Sequence, residues 1–436
     1  MLFTLRFYLF WSLSTAIALL VATWIGWQLP LIGLLLFDGL LLGVAIADSW
    51  RSRQRRVTVE RALAPRLSIG RDNPVSLTVQ TGDYPAELQL HDRHPTENVT
   101  ITGLPLSVAL TANSQQELHY TAHPTRRGHY EWGQIQVRQR SPWGLVWHSW
   151  AIAQPQQTQV YPDLIGLREL TIRLTLQSAG SIQRARQRGI GTESAELREY
   201  DLGDDPRLID WKATARRGRP LVRVLEPEQE QVLIILLDRG RLMTAQVQGL
   251  RRFDWGLNTA LALALTGLNR GDRVGMGVFD RDLKLWMPPE RGQAHLTTLI
   301  ERLTPIEPEL LEPDYLGVVS QVLRYQTRRA LVVIITELVD AIASTELLAA
   351  LSRLSPRYLP FCVTLRDPQV DQRAHTSVQT VDQAYTRAVA LDLLAQRQLA
   401  FAKLKQQGVL VLDAPAHQMS NELVEAYLQL KTRSRL

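Results

Sequence analysis

Cysteine is nearly absent from this chain: Cys362 is the only one in 436 residues. No internal disulfide can form, and no cysteine-rich zinc site can be built. Cys362 lies in the apolar run YLPFCVTL, where a thiol serves as a small buried hydrophobe rather than a reactive group. Catalytic signatures are equally sparse. There is no G-x-S-x-G elbow and no metalloprotease motif, and the densest charged stretch, residues 184–230, contains no histidine to act as a base. Gly189-Ile190-Gly191 is half of a dinucleotide fingerprint and follows no strand, so it makes a poor phosphate cradle. An unbalanced basic face is missing too. The net charge of +6 is spread along the chain, which argues against nucleic acid and mildly favours an anionic membrane surface.

What the chain does have begins with two apolar runs, Leu5 to Trp27 and Leu31 to Ala47, separated by Gln28, Leu29 and Pro30. Each approaches the roughly 20 residues that cross a hydrocarbon core of about 30 Å, and the link suits only a tight turn. Residues 1–50 therefore read as a transmembrane α-hairpin. Ala45-Ile46-Ala47 has the small-x-small look of a cleavage site, yet the apolar region far exceeds the roughly 7–15 residues of a signal peptide. Arg51, Arg53, Arg55 and Arg56 follow at once. By the positive-inside rule they place the rest of the chain in the cytoplasm, with the N-terminus near Arg6 on the same side. Asp38 falls mid-span, where a charge costs at least ~2.5 kcal/mol. It reads as a contact to the partner helix or to a second copy of the hairpin, with a protonated functional site as the lesser alternative.

Residues 51–165 change texture. Runs such as VTVE, VSLTVQ, AELQLHD, VTITG and IQVRQR alternate apolar with polar residues between Gly, Pro and Asn turns, the pattern of an all-β sandwich. Six of the nine histidines fall here, His91, His94, His119, His123, His129 and His148, without zinc-site spacing, and read as surface and turn residues. Trp132, Trp143, Trp147 and Trp150 read as packing for the sandwich.

From 231 to 436 the pattern is β/α. VLIILLD, VGMGVFD, ALVVIITE, LPFCVTL and GVLVLD are continuous apolar strands with helices between them, and LKLWMP makes a hairpin partner for the second. Such strands form a largely parallel sheet covered on both faces. The stretches Gln383 to Gln407 and Ser420 to Thr432 supply covering helices.

Between these parts, residues 166–230 form a charged segment. Ten Lys or Arg face ten Asp or Glu between Arg184 and Glu230. A balanced mixture suits a lattice of ion pairs, with Arg198, Arg207 and Arg223 able to fork onto carboxylates. Asp205 as cap, Pro206 at the first position and Gly218 at the end predict a helix over PRLIDWKATARR. A structural clamp is the simplest reading of this segment.

The same stretch resembles the bacterial family called domain of unknown function 58. The matching positions are Arg188, Gly189, Gly191 and Glu193, then Arg198, Glu199 and Tyr200, then Gly203, Asp204, Asp205, Arg207, Asp210, Trp211, Lys212 and Arg216, with Arg223 and Glu226 in LVRVLEPE. The sequence departs at Ser194, where the family usually has Phe, and at Thr214, where it has Ser. The resemblance implies a bacterial protein, which with the hairpin and its flanking arginines gives the expectation of a plasma-membrane protein with both termini cytoplasmic. It also implies a partner, a MoxR-type AAA+ ATPase acting on unknown protein clients.

The C-terminal part resembles a von Willebrand factor type A domain, a Rossmann-like α/β fold, and the resemblance points to the metal loop of such domains. Here that loop reads Asp238, Gly240, Arg241 and Leu242, with Asp314 aligned to the threonine loop and Glu337 to the last acidic position. Two serines are lost, and Arg239 and Arg241 bring positive charge to the place of the cation. Mg²⁺ would be held weakly at best, and an Arg241–Glu337 pair can replace it, so no cofactor is expected. The leading expectation is a non-enzymatic membrane scaffold or adaptor. Two alternatives stand beside it: a hydrolase of envelope polymers using Asp204, Asp205 and Asp210, and a structural protein that self-associates through its hairpin. Arg neighbours depress carboxylate pKa values, which disfavours the general acid that a hydrolase needs.

Overall fold

The computed structural model describes residues 2–185, 193–201, 206–226, 231–338 and 345–432. The chain divides into two compact units, Met1–Tyr161 and Pro162–Leu436.

In the first unit, two helices, Leu5–Ile25 and Gln28–Gln54, are long and apolar enough to cross a membrane. Gly26, at φ 88°, turns the chain between them, and Pro30 sits in the first turn of the second helix, where its missing N–H costs nothing. That helix does not stop at Ala47. It continues through Arg51 and Arg53, two cations at the C-terminal end of its dipole. Asp38 finds its partner on the neighbouring helix, accepting hydrogen bonds from Trp11 Nε1 at 3.1 Å and Ser14 Oγ at 3.3 Å.

A two-residue strand, Leu2–Phe3, precedes the first helix and pairs with Val146–Ile152, a strand that no local pattern announces. Thr4 follows it and donates its hydroxyl to Gly144 O at 2.7 Å. Asp48, fully buried near the end of the second helix, accepts from the backbone N–H groups of Trp143 and Leu145. Both ends of the hairpin are thus fastened to one turn of the β-domain, over a small core of Phe7, Ala45, Leu145 and Val146.

The β-domain contains three sheets. One orders Leu2–Phe3, Val146–Ile152, Ile135–Arg140, Ala86–Asp92 and Leu106–Leu110; a second orders Thr58–Ala62, Asn73–Gln80, Gln115–Pro124 and Val99–Thr102; a third orders Arg66–Ser68, Gln156–Tyr161 and Gly128–Trp132. Alternation carries Val75, Leu77 and Val79 inward from one strand and Ile135 and Val137 from another. A polar chain crosses between the sheets. Trp132 Nε1 donates to Tyr120 Oη at 3.0 Å, Tyr120 donates to Asp92 at 2.7 Å, and Arg61 Nε donates to Asp92 at 2.8 Å. Burial and the adjacent Asp92 carboxylate hold the Tyr120 hydroxyl in its protonated, donating form. Of the four tryptophans read as packing, Trp132 is fully buried, but Trp143 is 48% exposed under the Arg51 guanidinium. His148 is buried rather than on the surface, stacked on Trp150, and burial together with Arg53 and Arg56 lowers its pKa.

The second unit opens with the helix Leu164–Ala185, whose Leu167, Leu170 and Leu174 join the core of the α/β layer. That layer is a six-stranded sheet in the order Leu283–Glu290, Arg273–Phe279, Val232–Asp238, Leu331–Thr336, Leu359–Arg366, Leu410–Pro415. All neighbours run parallel except the first pair, the hairpin expected from LKLWMP. The helix Arg252–Asn269 lies almost wholly buried against the sheet. Gly256 permits that approach, since a Cβ there would stand 3.0 Å from Leu237 Cδ1. The helices Val381–Gln406 and Met419–Thr432 lie where helical spacing placed them. Each fully buried aliphatic side chain in these strands contributes about 1.5–3 kcal/mol.

Candidate functional site

The strand order reverses beside Val232–Asp238: the chain leaves it toward Arg273–Phe279 on one side and resumes with Leu331–Thr336 on the other. A crevice at the carboxyl ends of such strands is the usual ligand position in an open α/β sheet. Asp238 and Glu337 both stand there. Asp238 is 1% exposed, and its carboxylate accepts from Gly240 N at 2.7 Å, Thr336 Oγ1 at 2.6 Å and Tyr315 Oη at 3.2 Å. Burial pushes its pKa up to about 6, although these three donors work the other way. Gly240 is required for steric reasons: a Cβ would lie 2.8 Å from Leu311 O.

Glu337 is bound by Arg397, from the helix Val381–Gln406. The same guanidinium donates to Leu338 O at 2.8 Å, Leu365 O at 3.0 Å and Asp413 Oδ1 at 2.8 Å. Desolvation works against this buried cation, and the carboxylates of Glu337 and Asp413 more than offset it, raising its pKa. Arg252 Nε approaches the second Glu337 oxygen to 3.5 Å without hydrogen-bond geometry.

Arg397 therefore takes the role expected of Arg241. Arg241 instead pairs with Glu312 at 2.7 Å, both largely exposed, and Arg239 pairs with Asp280 at 2.8 Å and with Glu309. The cause is reach: Arg241 sits in a short turn, Arg241–Thr244, that faces the Leu311–Glu312 segment. Leu242 lies half-buried in that turn. Asp314 is exposed and caps the helix Tyr315–Tyr325, accepting from Gly317 N at 2.8 Å; the next residue, Tyr315, is the one that reaches Asp238. The donor set does not fit a divalent cation, because Asp238 is occupied by three donors and Glu337 by a guanidinium. Among the described residues no three His, Cys, Asp or Glu are grouped to hold a metal ion.

Arg397 left one trace in the sequence. The buried positions of its helix, Ala390, Arg397, Ala400 and Leu404, share a single helical stripe. A lone arginine on an otherwise apolar stripe requires a buried acid.

The second candidate is the signature segment. Strands Glu193–Glu199 and Leu221–Glu226 form an antiparallel hairpin, and between them stand the 3₁₀ turn Pro206–Leu208 and the helix Trp211–Arg217. The α-helix starts later than expected. Asp210, not Asp205, caps it, with one oxygen accepting from Lys212 N and Ala213 N at 3.0 Å, and Gly218 closes it at φ 70°. Thr214 Oγ1 accepts from Leu221 N at 3.0 Å, while Ile209 bridges to Val222, so the helix is fixed onto the hairpin. Any hydroxyl at 214 can do this, which accounts for Thr in place of Ser.

Arg219 forms an ion pair with Glu199 between two exposed side chains. Arg198, Tyr200, Arg207, Lys212 and Arg216 lie on this hairpin or its helix, all exposed except the half-buried Tyr200. Trp211 is 70% exposed and Leu197 is 42% exposed. Arg188, Gly189, Gly191, Gly203, Asp204 and Asp205 lie outside the described residues, as do the side chains of Glu193, Arg223 and Glu226.

Comparison with known proteins bears on this segment. A family model described as Protein of unknown function DUF58 matches residues 196–403. Uncharacterized proteins of Mycobacterium bovis and Mycobacterium tuberculosis are 24% identical over 183 residues, which is 42% of this chain. The match spans 57% of those relatives' length. Among solved structures, the conserved hypothetical protein BatB from Bacteroides thetaiotaomicron is 16% identical, covering 47% of this chain and 98% of that one, with a TM-score of 0.32. The VWA domain of SpRpn10 is 11% identical, covering 45% of this chain and 94% of that one, with a TM-score of 0.29. Residues 196–403, which carry most of the signature hairpin and of the α/β sheet, thus bear out the resemblance to the family described as Protein of unknown function DUF58.

Proposed function

We propose that the protein is a membrane-anchored scaffold that binds protein partners through the signature hairpin and its helix. The observation that carries this reading is Trp211, 70% exposed on a helix capped at both ends and fastened to its hairpin. An ordered, solvent-facing tryptophan among arginines has the composition of an interaction hot spot. A clamp would have buried it. The hairpin helices Leu5–Ile25 and Gln28–Gln54 anchor the chain, with the arginines after them on the cytoplasmic side. We further propose a von Willebrand factor type A-like role for the α/β sheet, independent of metal, with the Glu337–Arg397–Asp413 network as a fixed internal brace. No catalytic role is proposed, because the carboxylates at the switch point are already committed to internal donors. The partner proposed from the family resemblance is a MoxR-type AAA+ ATPase working on client complexes.

Affinity purification of the full chain from gently solubilised membranes, with and without ATP, tests this reading. A stoichiometric ATPase lost on Trp211→Ala, while the fold persists, is the expected result. Equal recovery of the same partners by wild type and variant would overturn the assignment to the hairpin.

A further inference from the structure

At the foot of the membrane hairpin lies a cavity of about 380 Å³ lined by Arg6, Arg55, Tyr84, Glu87 and Arg140, among others. Arg6 is in the first turn of the helix Leu5–Ile25, and Arg55 caps the end of the helix Gln28–Gln54. The two helices are antiparallel, so these residues mark the same end of the hairpin, where its apolar length gives way to polar chain. Arg140 closes the strand Ile135–Arg140 beside the turn that ends at Gly144.

Three cations face one carboxylate in this lining. Arg140 donates to Glu87, itself 51% exposed, at 2.8 Å, and Arg55 lies over the Tyr84 ring at 5.3 Å. The exposed Arg6 guanidinium makes no ion pair or hydrogen bond among the described residues. The convergence is sharpest over Gly144, at φ 74°. A Cβ placed there would stand 3.2 Å from Arg140 Nε, 3.3 Å from Arg140 Nη2 and 3.3 Å from Arg6 Nη1. Glu87 on Arg140 and Asp48 under the flanking amides of Trp143 and Leu145 offset part of this charge, and the two planar forks, one of them without a partner among the described residues, fit the oxygens of a phosphate.

We propose that this cavity binds the phosphate headgroup of an anionic membrane lipid. The choice of a lipid over a free anion rests on position. Immediately beyond Arg6, Tyr8, Leu9 and Phe10 expose apolar surface along the helix, a path for acyl chains that a free phosphate does not use. Basic pockets at the end of membrane helices recognise headgroups in this way. The proposal rests on the membrane reading of the hairpin.

The test uses the full chain in detergent, titrated with phosphatidylglycerol, phosphatidylcholine and inorganic phosphate, and read by native mass spectrometry and thermal shift. Wild type is expected to prefer phosphatidylglycerol. Arg6→Gln, which removes no internal partner, weakens that binding about fivefold, and the Arg6→Gln/Arg140→Gln double variant weakens it roughly thirtyfold. Undiminished binding by the double variant overturns the site. Inorganic phosphate competing as well as the lipid reassigns the cavity to the free anion and overturns the lipid proposal. Retention of the chain in alkali-washed membranes tests the anchor separately. Release there overturns the anchor and this proposal together, whereas retention with unaltered lipid binding by the variants overturns the lipid site alone.

Discussion

The Glu337–Arg397–Asp413 network of the α/β sheet and the signature hairpin both carry opposed charges, yet they use them in opposite ways. At Glu337, Arg397 and Asp413 the charges are turned inward, and the shared guanidinium is held by several bonds. On the hairpin, Arg219 and Glu199 meet in water, and the largest apolar side chain, Trp211, faces solvent. A buried ion network costs desolvation and is kept where geometry must be fixed. An exposed one contributes little stability and leaves its members available to a partner. Within one chain, charge marks a brace in one place and a contact surface in another.

The sharpest way to break this contrast is Arg397→Ala. It leaves Glu337 and Asp413 buried without their shared cation, and a loss of about 3–5 kcal/mol is expected in denaturant unfolding of the full chain. Next comes the pH response of Asp238, whose pKa near 6 exceeds its ordinary 3.8. The folded form holds the extra proton, so its stabilising contribution is complete below pH 4 and is lost as pH rises through 6. Relative to wild type, Asp238→Asn removes that decline of roughly 3 kcal/mol, which unfolding midpoints between pH 4 and pH 7 will show. On the hairpin, Asp210→Ala removes a helix cap and costs about 1 kcal/mol, seen as faster amide exchange over 211–217 with the sheet unaffected. Trp211→Ala has the smallest effect on stability, within about 0.5 kcal/mol, and the largest on partner recovery. A Trp211 variant that unfolds the chain would return the hairpin to the role of clamp.

The parts legible in the sequence are those that rest on periodicity. Apolar runs marked both helices long enough to cross a membrane, alternation marked the β-domain, and five β-branched runs marked five strands of the six-stranded sheet, with LKLWMP as the sixth. Long-range pairings were not legible. Arg241 lies near Asp238 in sequence and was the natural partner for Glu337, but Arg397, sixty residues beyond Glu337, fills that place because its helix crosses the strand ends. Tyr315 rather than Asp314 meets Asp238, because the aspartate caps the helix that Tyr315 begins. Asp205 looked like the cap beside Pro206, whereas an intervening 3₁₀ turn passes that duty to Asp210. Strand Leu2–Phe3 is too short to carry a pattern, and only its distant partner defines it.

That short strand also fixes an order of events during synthesis. A ribosome delivers Leu2 and Phe3 well before the backbone groups they bind, which belong to Val146 and Trp147. At about 5–20 residues per second, the edge waits roughly seven to thirty seconds, while both long apolar helices are made. Asp48, too, must await the N–H groups of Trp143 and Leu145 before its charge is buried. The hairpin is therefore seated only once Val146–Ile152 has been made, although its own residues are translated earlier. A bulky fusion ahead of Leu2 would crowd that late closure, and a reporter of assembly belongs at the other end of the chain.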